Sequence, residues 1–213
     1  MAAVRTKRVT ESKSATGGWA VLFAHGAGAG SRSDWMKAWA KRLGAIGPVA
    51  TFDYPYMRAG KKAPDKQEKL VEAHRAELAK LRGKYPDRRI LLAGKSMGSR
   101  MGCHLALEER VDALVCLGYP LVSPSNPKNI RDEVLLALRT PILFVQGTRD
   151  PLAPLDRLEA VLAKMKAPHA LHIVESGNHS LEITAKHAKE GQTTQDEVDR
   201  AALVHIERFV AEL

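Results

Sequence analysis

Short apolar runs alternate along this chain with longer segments in which apolar residues recur every three or four positions. Trp19 to Ala24, Val49 to Phe52, Arg89 to Ala93, Ala113 to Leu117, Pro141 to Val145 and Ala170 to Val174 have strand length and little polar alternation, the pattern of strands buried on both faces. Between them, Met36, Trp39, Ala40 and Leu43 share a helical face that follows the N-cap candidate Ser33 and ends at Gly44. Leu70, His74, Leu78 and Leu81 align on a helix predicted over Asp65 to Lys84 and stopped before Pro86; His74 on that stripe is expected to be a packed, hydrogen-bonded histidine. A helix is expected from Ser96 to about Glu109 and a short one over Arg131 to Leu138, and Leu155, Leu158, Leu162 and Met165 mark a further face. Thr194 with Glu197 makes a capping box opening a last helix, whose Val198, Ala202, Ile206 and Phe209 turn inward. Residues 1–18 are polar, end in Gly17-Gly18, and predict an edge strand or a turn.

Strands alternating with amphipathic helices predict an α/β fold, a mostly parallel sheet with helices on both faces. In such sheets the functional loops lie at the carboxyl ends of the strands. His25, Asp53, Ser96, Tyr119, Asp150 and the loop after Val174 all emerge at that edge. The stretch between Gly118 and the helix near Arg131 is too short for a cap domain.

Composition narrows the class. With 213 residues, 45% of them hydrophobic, residues 1–213 are expected to form a single domain with a substantial core. No secretory signal is visible, and no apolar window is long enough to span a membrane, so no membrane association and a cytoplasmic location are expected. Cys103 and Cys116 lack metal spacing and read as buried free thiols of a reducing compartment, with no metal expected. The net charge of +9 raises a nucleic-acid reading, but the basic residues are scattered among acids and have no interleaved aromatics. No nucleic-acid partner is expected.

The chemistry centres on Gly94-Lys95-Ser96-Met97-Gly98, a G-x-S-x-G pattern between a strand and a helix. That pattern is the nucleophile elbow of α/β-hydrolases, and both glycines are needed where helix and strand backbones approach. A serine needs a base, and the base needs an acid to hold its tautomer. Chain order in this architecture puts the acid and then the histidine after the serine. Asp150 and His179 meet that order, with Glu175 the competing acid. Backbone amides of Met97 and Ala27 are the candidates for an oxyanion hole, and His25 is expected to orient the glycine loop. Gly94-Lys95-Ser96 is no Walker loop, because Arg89 stands where that motif needs glycine. The Gly26, Gly28, Gly30 series fails as a dinucleotide fingerprint at Ser31.

Taken with His25 to Gly30, Phe52-Asp53-Tyr54-Pro55-Tyr56 and Gly118-Tyr119-Pro120, the elbow resembles the small α/β-hydrolase-like group containing testis-expressed protein 30 and NSL complex subunit 3. The resemblance covers nearly the whole chain. It implies an α/β-hydrolase fold similar to dienelactone hydrolases, ester or thioester hydrolysis without a cofactor, and a triad of Ser96, Asp150 and His179. Ser99 departs from the pattern, standing where a second glycine is expected. Some members of the group act as complex subunits, which defines a second function class, a non-catalytic module binding an acidic partner through its basic surface. The leading expectation is a serine hydrolase acting on a small or exposed ester or thioester in an open pocket. Tyr54, Tyr56, Met57 and Tyr119 are its expected walls.

Overall fold

The computed structural model describes residues 17–123 and 126–213. The edge strand or turn expected for residues 1–18 lies outside these, apart from Gly17 and Gly18, which open the first strand. Six strands form one parallel sheet: β1 (Gly17–Ala24), β2 (Val49–Phe52), β3 (Arg88–Lys95), β4 (Ala113–Leu117), β7 (Ile142–Gly147) and β8 (His169–Val174). The spatial order is β2-β1-β3-β4-β7-β8, and every pairing is parallel. A separate antiparallel pair, β5 (Val122–Ser123) with β6 (Asn126–Ile130), follows β4; the sequence pattern held no sign of it because neither strand alternates over enough residues.

Period-two alternation sorts the sheet's side chains into two cores. Ala20, Leu22, Ile90, Leu92, Leu114 and Phe144 face one side. There they meet α3 (Gln67–Lys84), α4 (Met97–Glu108), α5 (Glu133–Ala137) and α6 (Leu155–Leu162). Val21, Phe23, Leu91, Val115 and Val145 point the other way, onto α1 (Asp34–Leu43) and α8 (Gln195–Ala211). Strands buried on both faces need apolar residues at odd and even positions alike, which is why the runs read as continuous rather than alternating. The predicted caps form: Ser33 accepts from the Met36 amide, and Thr194 and Glu197 bond reciprocally. Two helices lie where no helix was expected, α2 (Pro55–Arg58) and α7 (Ala185–Glu190). Proline at the first position of α2 supplies a backbone angle already suited to a helix, and in so short a turn no apolar period can show.

The strand order reverses direction between β1 and β3, since the chain leaves β1 outward to β2 and returns on the other side to β3. Such a switch point opens a crevice at the carboxyl ends of the two strands. The loop after Ala24 and the turn at Ser96 therefore face each other.

His74 is fully buried in α3, with rings of Phe52 and Tyr54 around it and Nδ1 3.2 Å from Tyr54 Oη. Its Nε2 has no partner, and burial pulls its pKa down to about 3. His104 and His172 are each held near 4, chiefly by burial. An unfolded chain titrates its histidines near 6.5, so between there and pH 3 the unfolded state binds more protons than the native one. Stability should fall as pH drops through this window, with His74 alone contributing up to about 1.4 kcal/mol per pH unit. Urea unfolding of His74→Phe between pH 4 and 6 should give a flatter dependence than the parent protein; an unchanged slope would contradict a neutral, buried His74.

Candidate active site

Ser96 occupies the turn between β3 and α4 at φ 50° and ψ −113°, a left-handed conformation that side chains rarely adopt. Two contacts enforce it. A Cβ added to Gly94 would lie 2.2 Å from the Ser99 nitrogen, and one added to Gly98 would lie 2.4 Å from the Ala24 carbonyl oxygen. Only glycines let α4 start this close to β3 and β1. Ser99, where the resemblance leads one to expect a second glycine, is accommodated: its buried hydroxyl donates to the Gly94 carbonyl at 2.5 Å and ties the helix back to the strand.

The Ser96 hydroxyl lies 2.7 Å from His179 Nε2, and His179 Nδ1 lies 2.7 Å from Asp150 Oδ2. With the ring proton on Nδ1, the imidazole donates to Asp150 and accepts from Ser96. Asp150 comes from the loop after β7 and His179 from the loop after β8. Glu175, the competing acid, is exposed and accepts instead from the Thr148 hydroxyl and the Ser176 amide. The remaining Asp150 oxygen accepts from the Leu152 amide at 2.8 Å.

Three residues that sequence reasoning missed hold this arrangement. Gln146 is fully buried on β7; its amide nitrogen donates to Asp150 Oδ2 at 2.5 Å, and its carbonyl accepts from the Tyr119 amide at 3.1 Å. A glutamine within an otherwise apolar strand was the available signal. Lys95 Nζ donates to the His179 carbonyl oxygen and sits 4.9 Å from the centre of the Trp35 ring. Trp35 in turn donates its indole N–H to the Ser180 carbonyl at 2.9 Å. The histidine loop is thus fastened at His179 itself and at the residue after it. Burial lowers the Lys95 pKa to about 8, against the opposing charges of Asp150 and Glu182.

The glycine loop after β1 packs against Lys95 and Ser96. A Cβ on Gly26 would meet Lys95 Cγ at 3.3 Å and Ser96 Cβ at 3.5 Å. Fully buried His25 bonds the Gly26 carbonyl through Nδ1 at 2.6 Å and accepts the Tyr54 amide on Nε2 at 3.1 Å, so it orients the loop as expected. Burial keeps its pKa low, with the Gly26 bond and the Asp53 charge opposing. Ala27 lines the crevice opposite Met97, the first residue of α4, where backbone N–H groups lack intrahelical partners.

A cleft of about 660 Å³ opens over these residues and is lined by Ala27, Trp35, Ser96, Met97, Met101 and His179 among others. The four expected wall residues are not part of it. Tyr54, Tyr56 and Tyr119 are completely or almost completely buried in the core, and partly buried Met57 packs against the same core. Turning of the chain into α2 carries Tyr56 inward, where its hydroxyl donates to the Ala27 carbonyl at 2.9 Å. Tyr119 donates to the Arg131 carbonyl at 3.2 Å. These aromatics brace the loops around the cleft. Among the described residues, no group of three or more His, Cys, Asp or Glu is placed to hold a metal ion, and no helix is long and apolar enough to cross a membrane.

A family model described as an alpha/beta hydrolase domain matches residues 18–211. The chain belongs to the α/β-hydrolase family. Among solved structures similar to this hydrolase-family chain is an alpha-beta serine hydrolase homologue from Coxiella burnetii, 18% identical, with a TM-score of 0.67 over 92% of this chain and 85% of that one. A dienelactone hydrolase from Anabaena variabilis is 20% identical with a TM-score of 0.63, covering 83% of each chain. The RedJ thioesterase of the prodiginine pathway in Streptomyces coelicolor is 17% identical with a TM-score of 0.64, over 95% and 96%. At these identities the likeness is one of fold, and the α/β-hydrolase fold is common to all of them.

Replacing Gln146 by leucine should lower the unfolding free energy by about 2–3 kcal/mol, because the Tyr119 amide and Asp150 Oδ2 would each lose a buried partner; urea titration measures it. For Lys95, the folded pKa near 8 lies below the unfolded 10.5, so native protein holds fewer protons between these values. Lys95 should therefore contribute stability that grows as pH climbs from 8 toward 10, and Lys95→Met should remove that contribution, giving a pH dependence less positive in slope than the parent's in the same titration.

Proposed function

We propose that this chain is a serine hydrolase that cleaves a small or exposed carboxylic ester or thioester through an acyl-enzyme. The observation that carries this reading is the unbroken hydrogen-bonded series from Ser96 through His179 to Asp150, at 2.7 Å for each link, opening onto a cleft. In the proposed reaction, Ser96 Oγ attacks the carbonyl carbon while its proton passes to His179 Nε2. Asp150 stabilises the imidazolium through Nδ1–H. Negative charge gathers on the former carbonyl oxygen, which the amides of Met97 and Ala27 receive at the positive end of α4. Collapse expels the alcohol or thiol, which takes the proton from His179. Water then attacks the acyl-enzyme, with His179 accepting its proton and returning it to Ser96 as the carboxylic acid leaves. No step draws on a cofactor.

Membership of the α/β-hydrolase family and a thioesterase and a dienelactone hydrolase among the structural relatives support this class of reaction. On its motifs we place the chain near the group of testis-expressed protein 30 and NSL complex subunit 3.

A fluorophosphonate probe with mass mapping tests the reading. Covalent labelling is expected at Ser96 and should be absent in Ser96→Ala and strongly slowed in His179→Ala. Hydrolysis of p-nitrophenyl acetate should fall by roughly 10⁴-fold or more in either variant. A folded protein that neither labels nor exceeds Ser96→Ala in turnover would sink the enzyme. Salt-sensitive binding to an acidic partner would then support the interaction module.

A further inference from the structure

Ser96 and its partners account for one part of the cleft wall. Another part is lined by Arg100, Arg131, Asp65 and Gln67, residues to which the proposed hydrolysis gives no role. Arg100 follows Ser96 by one helical turn, and its amide donates to the Ser96 carbonyl at 3.1 Å. Residues four apart share a helix face, and long helical side chains lean back toward the preceding turn, so Arg100 leans toward the nucleophile. Arg131 stands on the segment after β6. Its backbone is pinned on both sides, the amide donating to the Leu121 carbonyl at 2.7 Å and the carbonyl accepting from the buried Tyr119 hydroxyl.

Two guanidinium groups on one wall repel one another, and the structure does not relieve them. Among the described residues, neither Arg100 nor Arg131 forms an ion pair within 4 Å. Asp65, the carboxylate on the same wall, is paired with Lys69 at 2.8 Å. Gln67 accepts from Arg100 Nη2 at 2.7 Å and passes its own amide to His104 Nδ1 at 3.4 Å. Two enclosed nitrogens beside these bonds, Arg100 Nε and His104 Nε2, have no acceptor. Gln67 as hydrogen-bond donor leaves the proton of neutral His104 on Nε2, so both are donors in want of an anion or a carbonyl. A second, smaller cavity of about 220 Å³ shares both arginines and is lined by His104 and by the carboxylate residue Glu133, which forms no ion pair within 4 Å with either arginine. Burial, and then the charge of Arg100, hold the Arg131 guanidinium below its ordinary range.

We propose that Arg100 and Arg131 form a subsite for a carboxylate carried by the substrate, a few carbons from the scissile bond. This rests on the hydrolase reading for the position of that bond, but the subsite itself does not. Guanidinium groups match a carboxylate's two oxygens and suffer little from losing water, which suits a partly enclosed wall. The cleft is lined by the cations Lys95, Arg100 and Arg131 and the carboxylates Asp65 and Glu182, and Asp65 is already paired with Lys69, so the wall carries net positive charge and favours an anion.

Two measurements test this. The first is the ratio of kcat/KM for p-nitrophenyl hemiglutarate to that for p-nitrophenyl valerate, esters of similar length that differ in a terminal carboxylate. The parent protein should favour the acid by about tenfold or more, less so in high salt, and Arg131→Gln and Arg100→Gln should each bring the ratio toward one. Valerate hydrolysis without acid preference, or a preference kept in both variants, overturns the subsite and leaves the hydrolase standing. The second measurement needs no turnover: calorimetric binding of monomethyl glutarate and of methyl valerate to Ser96→Ala. The acid should bind about tenfold tighter, and Arg131→Gln, on a segment outside the core helices, should abolish the difference. Equal binding overturns the subsite even if no ester is cleaved.

Discussion

The close approach of α4 to the β1 and β3 backbones is the constraint on which the site depends. Without it, the first turn of the helix could not begin at Ser96, and Ser96 would relax out of its left-handed conformation. That conformation lifts the hydroxyl off the sheet edge toward His179, with Met97 at the helix terminus lining the cleft. Strain of this kind costs of order 1–3 kcal/mol and persists only when the surroundings over-determine it. Here the surroundings are the Gly98 contact with Ala24, the Gly94 contact with Ser99, and the Ser99 hydroxyl bonded to Gly94. The two strands involved lie on either side of the switch point, so the fold's topology and the elbow's geometry are one requirement.

Around that point the polar groups form a relay of fixed dipoles rather than isolated pairs. Tyr119 and Gln146 hold Asp150, Asp150 holds His179, and Lys95 with Trp35 holds the backbone that carries His179. On the opposite lip, His25 and Tyr56 tie down the carbonyls of Gly26 and Ala27. Tyr119, Gln146, Asp150, His25 and Tyr56 are buried and Trp35, Lys95 and His179 partly so, and where a group is buried an unsatisfied partner would cost more than a bond returns in water. The cleft is thereby preorganised by groups within its wall, such as Lys95 and Trp35, and by groups behind it, such as Gln146 and Tyr119.

Much of this was legible from the sequence, and the limits have physical causes. Continuous apolar runs and helical stripes marked every strand of the main sheet, because burial on both faces leaves little room for polar residues. Ser96, Asp150 and His179 could be placed because sheet topology sends strand ends to one edge, and the structure brings the three side chains together. The aromatic residues were misplaced on the cleft wall. Following a strand end, Tyr54 and Tyr56 looked like loop residues, but whether such a ring turns in or out depends on the short helix α2, which is decided by tertiary packing. Lys95 and Gln146 were passed over for the opposite reason: each lies within a motif or strand whose other residues explained it, and only the three-dimensional neighbours reveal their bonds.

Ser96, the proposed nucleophile, Met97, whose amide is proposed for the oxyanion, and Arg100 all ride on the first turn and a half of α4, whereas Arg131 arrives on a separate segment braced at its backbone. In the reaction proposed for this cleft, a shift of α4 therefore moves reactivity and selectivity together, and neither can drift alone along that helix. The segment after β6 is under no such linkage. Divergence among proteins built on this plan would consequently leave α4 nearly invariant in position and write its differences into the residues around Arg131.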